Sequence, residues 1–161
     1  MKKYDEKWQQ FQSLFVEKEI LSKTVLLREG EIAKTIYLIK KGCLREWFNK
    51  DGKDITFQFF FDGQSVASFD SFMSQQPSLF TIESIEPSTF LSIERDDLKR
   101  LLDTYPEFKT GFQEFIFHRF GNYSQLFLSR IKDSPQERYE DLLKKHPEII
   151  KRGPNFTSPL F

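Results

Sequence analysis

Four glycines pace the segment from residue 30 to residue 66: Gly30, Gly42, Gly52 and Gly63 recur every ten to twelve residues. Between them stand apolar, β-branched and aromatic runs, Thr35-Ile36-Tyr37-Leu38-Ile39, then Leu44 to Phe48, then Ile55 to Phe61. Short strands broken by turns at this interval predict an antiparallel roll or barrel, and a small closed sheet can hold a ligand inside it. Asn49-Lys50-Asp51-Gly52 reads as a hairpin, with Gly52 free to take positive φ, and Asp62-Gly63 as the next turn. Thr24 to Arg28 predicts the start of the sheet, ending in the turn at Glu29-Gly30-Glu31. Beyond Pro77, which breaks its segment, Phe80 to Ile85 and Thr89 to Ile93 predict the last strands around the turn at Glu86-Pro87-Ser88.

Helices flank these strands. Tyr4, Trp8, Phe11 and Phe15 are spaced by three or four, which predicts a short amphipathic helix over residues 4 to 15. Arg95 to Leu102 reads as a helix with acidic residues at its start, where the helix dipole favours them. Pro106 suits the first turn of the next helix. From Glu107 to Lys132 no proline intervenes, and Phe108, Phe112, Phe115 or Ile116, Phe120, Tyr123, Phe127 and Ile131 form a long apolar stripe. That predicts a helix of about 26 residues, roughly 39 Å long. Phe117, Leu126 and Leu128 widen the apolar surface beyond one face. A helix wet on one side needs one stripe only, so a wide one is expected to be covered twice, by the roll and by a second copy. The alternative is a wholly intramolecular core. Ser134-Pro135-Gln136-Glu137 then carries a serine cap, a proline at the first position and a glutamate closing a capping box. The helix it opens is expected to run through Tyr139, Leu142 and Leu143 to about Lys145, and Pro147 to Lys151 is compatible with one more turn.

Composition narrows the function classes. Lys+Arg and Asp+Glu both total 24, so no net charge favours nucleic acid or an anionic membrane. Nineteen phenylalanines in 161 residues point to aromatic-rich packing, within the chain or between subunits. Cys43 is the only cysteine, which excludes an intramolecular disulfide and any four-thiolate cluster or multi-cysteine zinc site. The start, MKKYDEKWQQFQ, has no apolar core of a signal peptide, and no later run approaches a membrane span, so a cytoplasmic protein is expected. His118 and His146 stand far apart without ligand spacing for a metal. A solvent-facing or interface role for His118 outweighs one as a haem ligand. Ser68, Ser71 and Ser74 have no histidine placed for a triad, and there is no phosphate-cradling GxxxxGK motif, so no catalytic residue, metal site or cofactor is assigned.

With roll, short helix and long helix in this order, the chain resembles the Crp/Fnr family of bacterial transcription regulators, roughly from Phe11 to Lys151. The motif that carries the resemblance is Gly30-Glu31-x-Ala33-x-x-x-Tyr37-Leu38-Ile39-x-x-Gly42, supported by Gly63-Gln64-Ser65-Val66 and by Pro106 opening the long helix. Arg138-Tyr139-x-x-Leu142-Leu143 looks like the family's linker helix toward a DNA-binding domain. The resemblance implies an α+β fold: an antiparallel β-roll of double-stranded β-helix or jelly-roll type, a short N-terminal helix and a long C-terminal dimerisation helix. It implies a sensor domain over residues 1–104, the dimerisation helix over 105–133, and a linker helix with tail over 134–161.

In cyclic-nucleotide-binding relatives a short helix N-terminus, a glutamate for the ribose and an arginine for the cyclic phosphate follow the Gly63 position, neutralising the anion in a partly dry cavity. Here Ala67 stands where a glycine is expected, Ser68 where the ribose glutamate would be, and Ser78-Leu79-Phe80 where the family has Arg-Ser/Thr-Ala. No lysine or arginine lies between Asp54 and Glu94 to replace the missing one. Losing such an arginine costs about two decades of affinity or more, so binding of cAMP in the usual mode is not expected. Tyr123 and Ser124 replace the small hydroxyl residues that meet the base. The resemblance therefore implies a pocket walled by Ala67, Ser68, Phe69, Ser78, Leu79, Tyr123 and Ser124, holding either a different small ligand or a plug of aromatic side chains. It implies a dimer interface at Phe112, Phe115, Ile116, Arg119, Phe120, Tyr123 and Phe127.

A helix-turn-helix is expected after Pro154 in such regulators and needs at least roughly 20 residues. Asn155 to Phe161 contains a proline and no amphipathic repeat, so the recognition element is expected to be absent, through truncation, a frameshift or omission of that part. The expected function is a non-catalytic effector-sensing and dimerisation module, reaching DNA only through a domain missing from this chain. The alternative is a ligand-independent dimerising protein that titrates full-length partners.

Overall fold

A computed structural model describes residues 14–147. The expected helix at residues 4 to 15 lies outside them except at its end, where Leu14 sits in a 3₁₀ turn and Phe15 leads into a strand. Eight strands follow in the first unit, which extends to Lys99: β1 (Val16–Ile20), β2 (Val25–Leu27), β3 (Thr35–Lys41), β4 (Leu44–Lys50), β5 (Lys53–Phe60), β6 (Ser65–Val66), β7 (Thr81–Ser84) and β8 (Ser88–Glu94). A short helix α1 (Phe69–Ser74) separates β6 from β7. The strands form two antiparallel four-stranded sheets, ordered β1-β8-β3-β6 and β2-β7-β4-β5. This is the antiparallel β-roll implied by the glycine spacing.

Alternation along the strands decides which face is core. In β4, Leu44 and Glu46 are fully buried while Arg45 and Trp47 are partly exposed. Phe60, Ile82 and Ser84, their ladder partners, are likewise at 0–1% exposure. In the other sheet Ile39 and Phe90 pair and are at 1% and 0%. Each buried aliphatic or aromatic side chain of this kind contributes about 1.5–3 kcal/mol. Outside the core, Arg45 donates two hydrogen bonds to Glu83 at 2.7 and 3.0 Å and one to Thr56 at 3.1 Å, with its guanidinium 5.1 Å from the Trp47 ring centroid.

The turns have local causes. Asp51 and Gly52 adopt φ of 53° and 79°, a two-residue turn with positive φ at both positions, which matches the twist of the β4–β5 hairpin. Gly42 has φ 114°, and a Cβ there would stand 2.8 Å from the Ser88 Cα. Only glycine fits that close approach. Strand β1 is not foreshadowed by the sequence pattern, which starts the sheet at Thr24. Its VEKEI run is an edge strand exposed at four of five positions, and its pairing with β8 is fixed by residues about seventy positions away.

Helix α2 (Arg95–Thr104) spans the boundary between the units at Lys99/Arg100. The second unit holds α3 (Pro106–Lys132) and α4 (Pro135–Lys145). Proline opens both, and α4 has the expected capping box: Ser134 Oγ accepts from the Glu137 amide at 3.3 Å, and the Ser134 amide donates to Glu137 Oε2 at 2.7 Å. No helix among the described residues is long and apolar enough to cross a membrane. The linker tail, with the expected turn beyond Pro147 and the segment after Pro154, falls outside the described residues.

Candidate effector site

The segment between β6 and β7 is built by hydroxyl groups. Ser68 precedes the first residue of α1, yet its side chain caps no amide of that helix. Instead its hydroxyl lies 2.9 Å from that of Ser78, both residues buried at 2% and 3% exposure. Ser78 Oγ also lies 2.7 Å from the Phe80 carbonyl, which can only accept. A serine carries one proton, so Ser78 donates to that carbonyl and accepts from Ser68. The Ser78 backbone is fastened too, its amide donating to Glu31 O and its carbonyl accepting from the Gly30 amide, each at 2.8 Å. The first glycine of the sequence motif thus anchors the loop that carries Ser78.

Ser71, fully buried in α1, accepts from the Ala33 amide at 2.9 Å and donates to the Gln76 carbonyl. Gln75 ends α1 in the left-handed region (φ 59°), and its side-chain amide donates to Phe72 O at 2.9 Å. Arg95 Nε donates to the same carbonyl at 3.0 Å. Asp70 places a carboxylate in the first turn of α1, where it repels an incoming anion.

The structure thus joins two of the expected wall residues, Ser68 and Ser78, directly. Ala67 is fully buried beside them in sequence, Phe69 is half-buried, and Leu79 points outward at 75% exposure. Tyr123 and Ser124 belong to the second unit. There the Arg119 guanidinium lies 5.0 Å from the Tyr123 ring centroid and donates to its hydroxyl at 3.1 Å, while Ser124 Oγ donates to Phe120 O at 3.0 Å. A cleft of about 140 Å³ opens elsewhere, beside β2 and β3, between Leu26, Glu31, Lys34 and Tyr37. Tyr37 donates to Leu26 O at 3.3 Å there, and burial pushes its hydroxyl above the usual tyrosine value.

Three phenylalanines that the sequence pattern did not single out cluster near the β4–β5 hairpin. The Phe57 ring meets that of Phe80 edge-on at 5.2 Å and lies 6.1 Å from Phe48. Phe57 reaches them because the ladder slips at Glu46/Trp47: Glu46 pairs with Gln58 and Trp47 with Thr56, leaving Phe57 as the extra residue of a bulge. Among the described residues no group of three or more His, Cys, Asp or Glu could hold a metal ion.

Comparison with known proteins now decides the family. The cyclic nucleotide-binding domain family matches residues 17–105, more than half the chain. The chain belongs to the cyclic nucleotide-binding domain family. No curated protein matches the sequence. Among solved structures the family member is similar to a c-di-GMP-responsive global regulator of Xanthomonas campestris, with TM-score 0.69 and 15% identity over 89% of this chain and 74% of that one. It is also similar to the catabolite activator protein of Thermus thermophilus (TM-score 0.66, 16% identity, 78% of this chain and 59% of that one). A transcriptional regulator from Thermotoga maritima aligns with TM-score 0.63 and 16% identity over 79% of this chain and 98% of its own length. The chain spans 59% of the Thermus protein and 36% of the Toxoplasma gondii PKA regulatory domain. The fold of the described residues is the one these solved regulators share.

Proposed function

We propose that this cyclic-nucleotide-binding-like domain is the effector-sensing and dimerisation module of a Crp/Fnr-type transcriptional regulator, and that it does not take cAMP in the usual mode. The buried Ser68–Ser78 hydrogen bond carries this reading. The two positions at which nucleotide-binding relatives place a carboxylate for the ribose and a guanidinium for the phosphate are spent on each other as neutral hydroxyls. A desolvated cyclic phosphate would meet no cation from the Asp54–Glu94 segment, and Asp70 opposes it.

Dimerisation is supported by α3. No described residue of that helix is buried, and Phe117, Phe120, Phe127 and Ile131 are 66–77% exposed. They follow one another at steps of three, four or seven, a seam suited to a second copy of the helix. Effector binding in the roll would act by favouring one of two dimer arrangements, which requires unequal affinity for the two.

The second reading, a ligand-independent dimeriser with a plugged roll, draws on the Phe48–Phe57–Phe80 cluster. Calorimetry with cAMP, cGMP and a metabolite panel separates them. Micromolar binding of either cyclic nucleotide overturns both. Binding of another metabolite favours the sensor, and silence across the panel favours the plugged dimeriser.

A further inference from the structure

Strand β2 belongs to one sheet and β3 to the other, so the cleft of about 140 Å³ beside them opens between the two sheets, where residues 28–34 connect them. Leu26 and Leu27 give it an apolar wall, and the buried Tyr37 gives it a hydroxyl. At 3.3 Å the bond from that hydroxyl to Leu26 O exceeds the usual span of about 2.5–3.0 Å, and the phenol oxygen can still accept. Burial raises the Tyr37 hydroxyl most, and the Glu94 and Glu31 carboxylates add to the rise. The surroundings of this oxygen are therefore negative and suit a cation. Glu31 and Lys34 both line the cleft, and both are exposed. They form no ion pair with each other among the described residues: Glu31 Oε2 accepts from the Arg28 amide at 2.9 Å instead, and the Lys34 ammonium donates to no carboxylate. Two opposite charges thus stand unpaired at one cleft.

We infer that this cleft takes a small zwitterion, an aliphatic amino acid, with its ammonium group toward Glu31 and the Tyr37 oxygen, its carboxylate toward Lys34 and its side chain against Leu26 and Leu27. A dry cavity of about 150 Å³ takes up benzene, so a ligand of about six to eight non-hydrogen atoms matches the space. A lone anion would face the Glu31 and Glu94 carboxylates, and a lone cation would face Lys34. A ligand carrying both signs turns each of these into an attraction, through charge-assisted hydrogen bonds at both ends. None of the residues at the cleft belongs to the α1 loop, so the site does not depend on where an effector of that loop would sit.

The test is an NMR titration of the full chain at constant ionic strength, following the Leu26 and Leu27 methyl and Tyr37 ring resonances. L-valine is the probe, isobutylamine the same skeleton without the carboxylate, and isovalerate the same skeleton without the ammonium group. Saturable shifts with L-valine are expected, with binding of either single-charge analogue weaker by about threefold or more. Glu31→Gln keeps the acceptor for the Arg28 amide and removes the charge, and Lys34→Gln removes the opposite one. Both residues are exposed, so the fold is expected to be retained, and each change is expected to weaken L-valine by about threefold or more. No saturable shift of these resonances with L-valine up to about 10 mM overturns the inference. So does equal binding of isobutylamine or isovalerate, and so does an unchanged L-valine affinity in either variant. A parallel cAMP titration keeps the two proposals apart. Silence with L-valine sinks the zwitterion site and leaves the lack of cAMP binding standing, whereas cAMP binding sinks the functional reading and leaves the cleft to its own result.

Discussion

The Ser68 and Ser78 hydroxyls meet at 2.9 Å inside the roll, ten residues apart in the chain and on either side of α1. This contact closes the loop across its own base, and the Gly30 and Glu31 backbone fastens the Ser78 end. Ser78→Ala leaves the buried Ser68 hydroxyl and the Phe80 carbonyl each short of a partner. The expected destabilisation is about 1–3 kcal/mol, read from urea unfolding at unchanged slope. A loss under about 0.5 kcal/mol would show that the pair is replaceable.

The glycines separate two kinds of constraint. Gly52 has positive φ but open space around a Cβ, so Gly52→Ala is expected to cost only the conformational strain of about 1–2 kcal/mol. Gly42→Ala adds a collision with Ser88 side chain and backbone and is expected to exceed Gly52→Ala by about 1–3 kcal/mol. Equal costs in thermal unfolding would contradict the close approach of Gly42 to Ser88.

How much of this was legible in the sequence depends on how local its cause is. The Asp51-Gly52 turn and the Ser134–Glu137 box are set by residues within four positions, and the chain announces both. Strand β1 is set by its distant partner β8, and a VEKEI run gives no alternation that a period of two can detect. Glu46 hides inside a strand that the pattern reads, from Leu44 to Phe48, as one apolar and aromatic run. Only the pleat reveals that the glutamate faces the core and the flanking Arg45 and Trp47 do not. Phe57 could not be assigned to a face, because a bulge shifts the parity of the strand that carries it. Ser68 and Ser78 are expected as wall residues from their positions within a family motif, whereas their mutual bond depends on how the loop closes.

Acid should loosen the start of α4. The Ser134 backbone amide, and then its hydroxyl, hold the Glu137 carboxyl below its ordinary value. A depressed carboxyl stabilises the fold above its unfolded pKa, and that contribution is lost as pH falls through the lower folded value. The capping box is therefore intact at neutral pH and opens below the usual glutamate range near pH 4.5. Carboxyl-resolved NMR titration checks this. Ser134→Ala is expected to bring the Glu137 titration back toward its ordinary value and to lower stability by about 0.5–2 kcal/mol.

Tyr37 titrates in the opposite sense. Burial raises its hydroxyl above 10.0, a hydrogen bond with Thr35 opposes this, and Glu94 and Glu31 add to the rise. The neutral phenol is the form the fold prefers, so its contribution is complete below the ordinary tyrosine value and disappears as pH rises through the higher folded one. Ultraviolet titration should show one tyrosine ionising late, together with unfolding. Tyr37→Phe is expected to remove that late component. If Tyr37 ionises at the free value while the fold persists, its burial is not maintained in solution.

The exposed seam of α3 gives the most direct test of assembly. Phe120 and Phe127 are 72% and 66% exposed and one long heptad step apart, with Phe117 and Ile131 on the same line. Leaving such a row of rings in water forgoes about 1.5–3 kcal/mol for each that a partner could cover. Phe120→Glu with Phe127→Glu would place like charges opposite each other across a two-fold seam, in positions that a paired helix desolvates. The dimer's dissociation constant is expected to rise at least a hundredfold, with the fold retained because neither side chain is part of a buried core in α3. Analytical ultracentrifugation at tens of micromolar distinguishes the outcomes. Wild-type dimer and variant monomer support the seam, whereas a wild-type monomer, or a variant that dimerises equally well, moves the interface off α3.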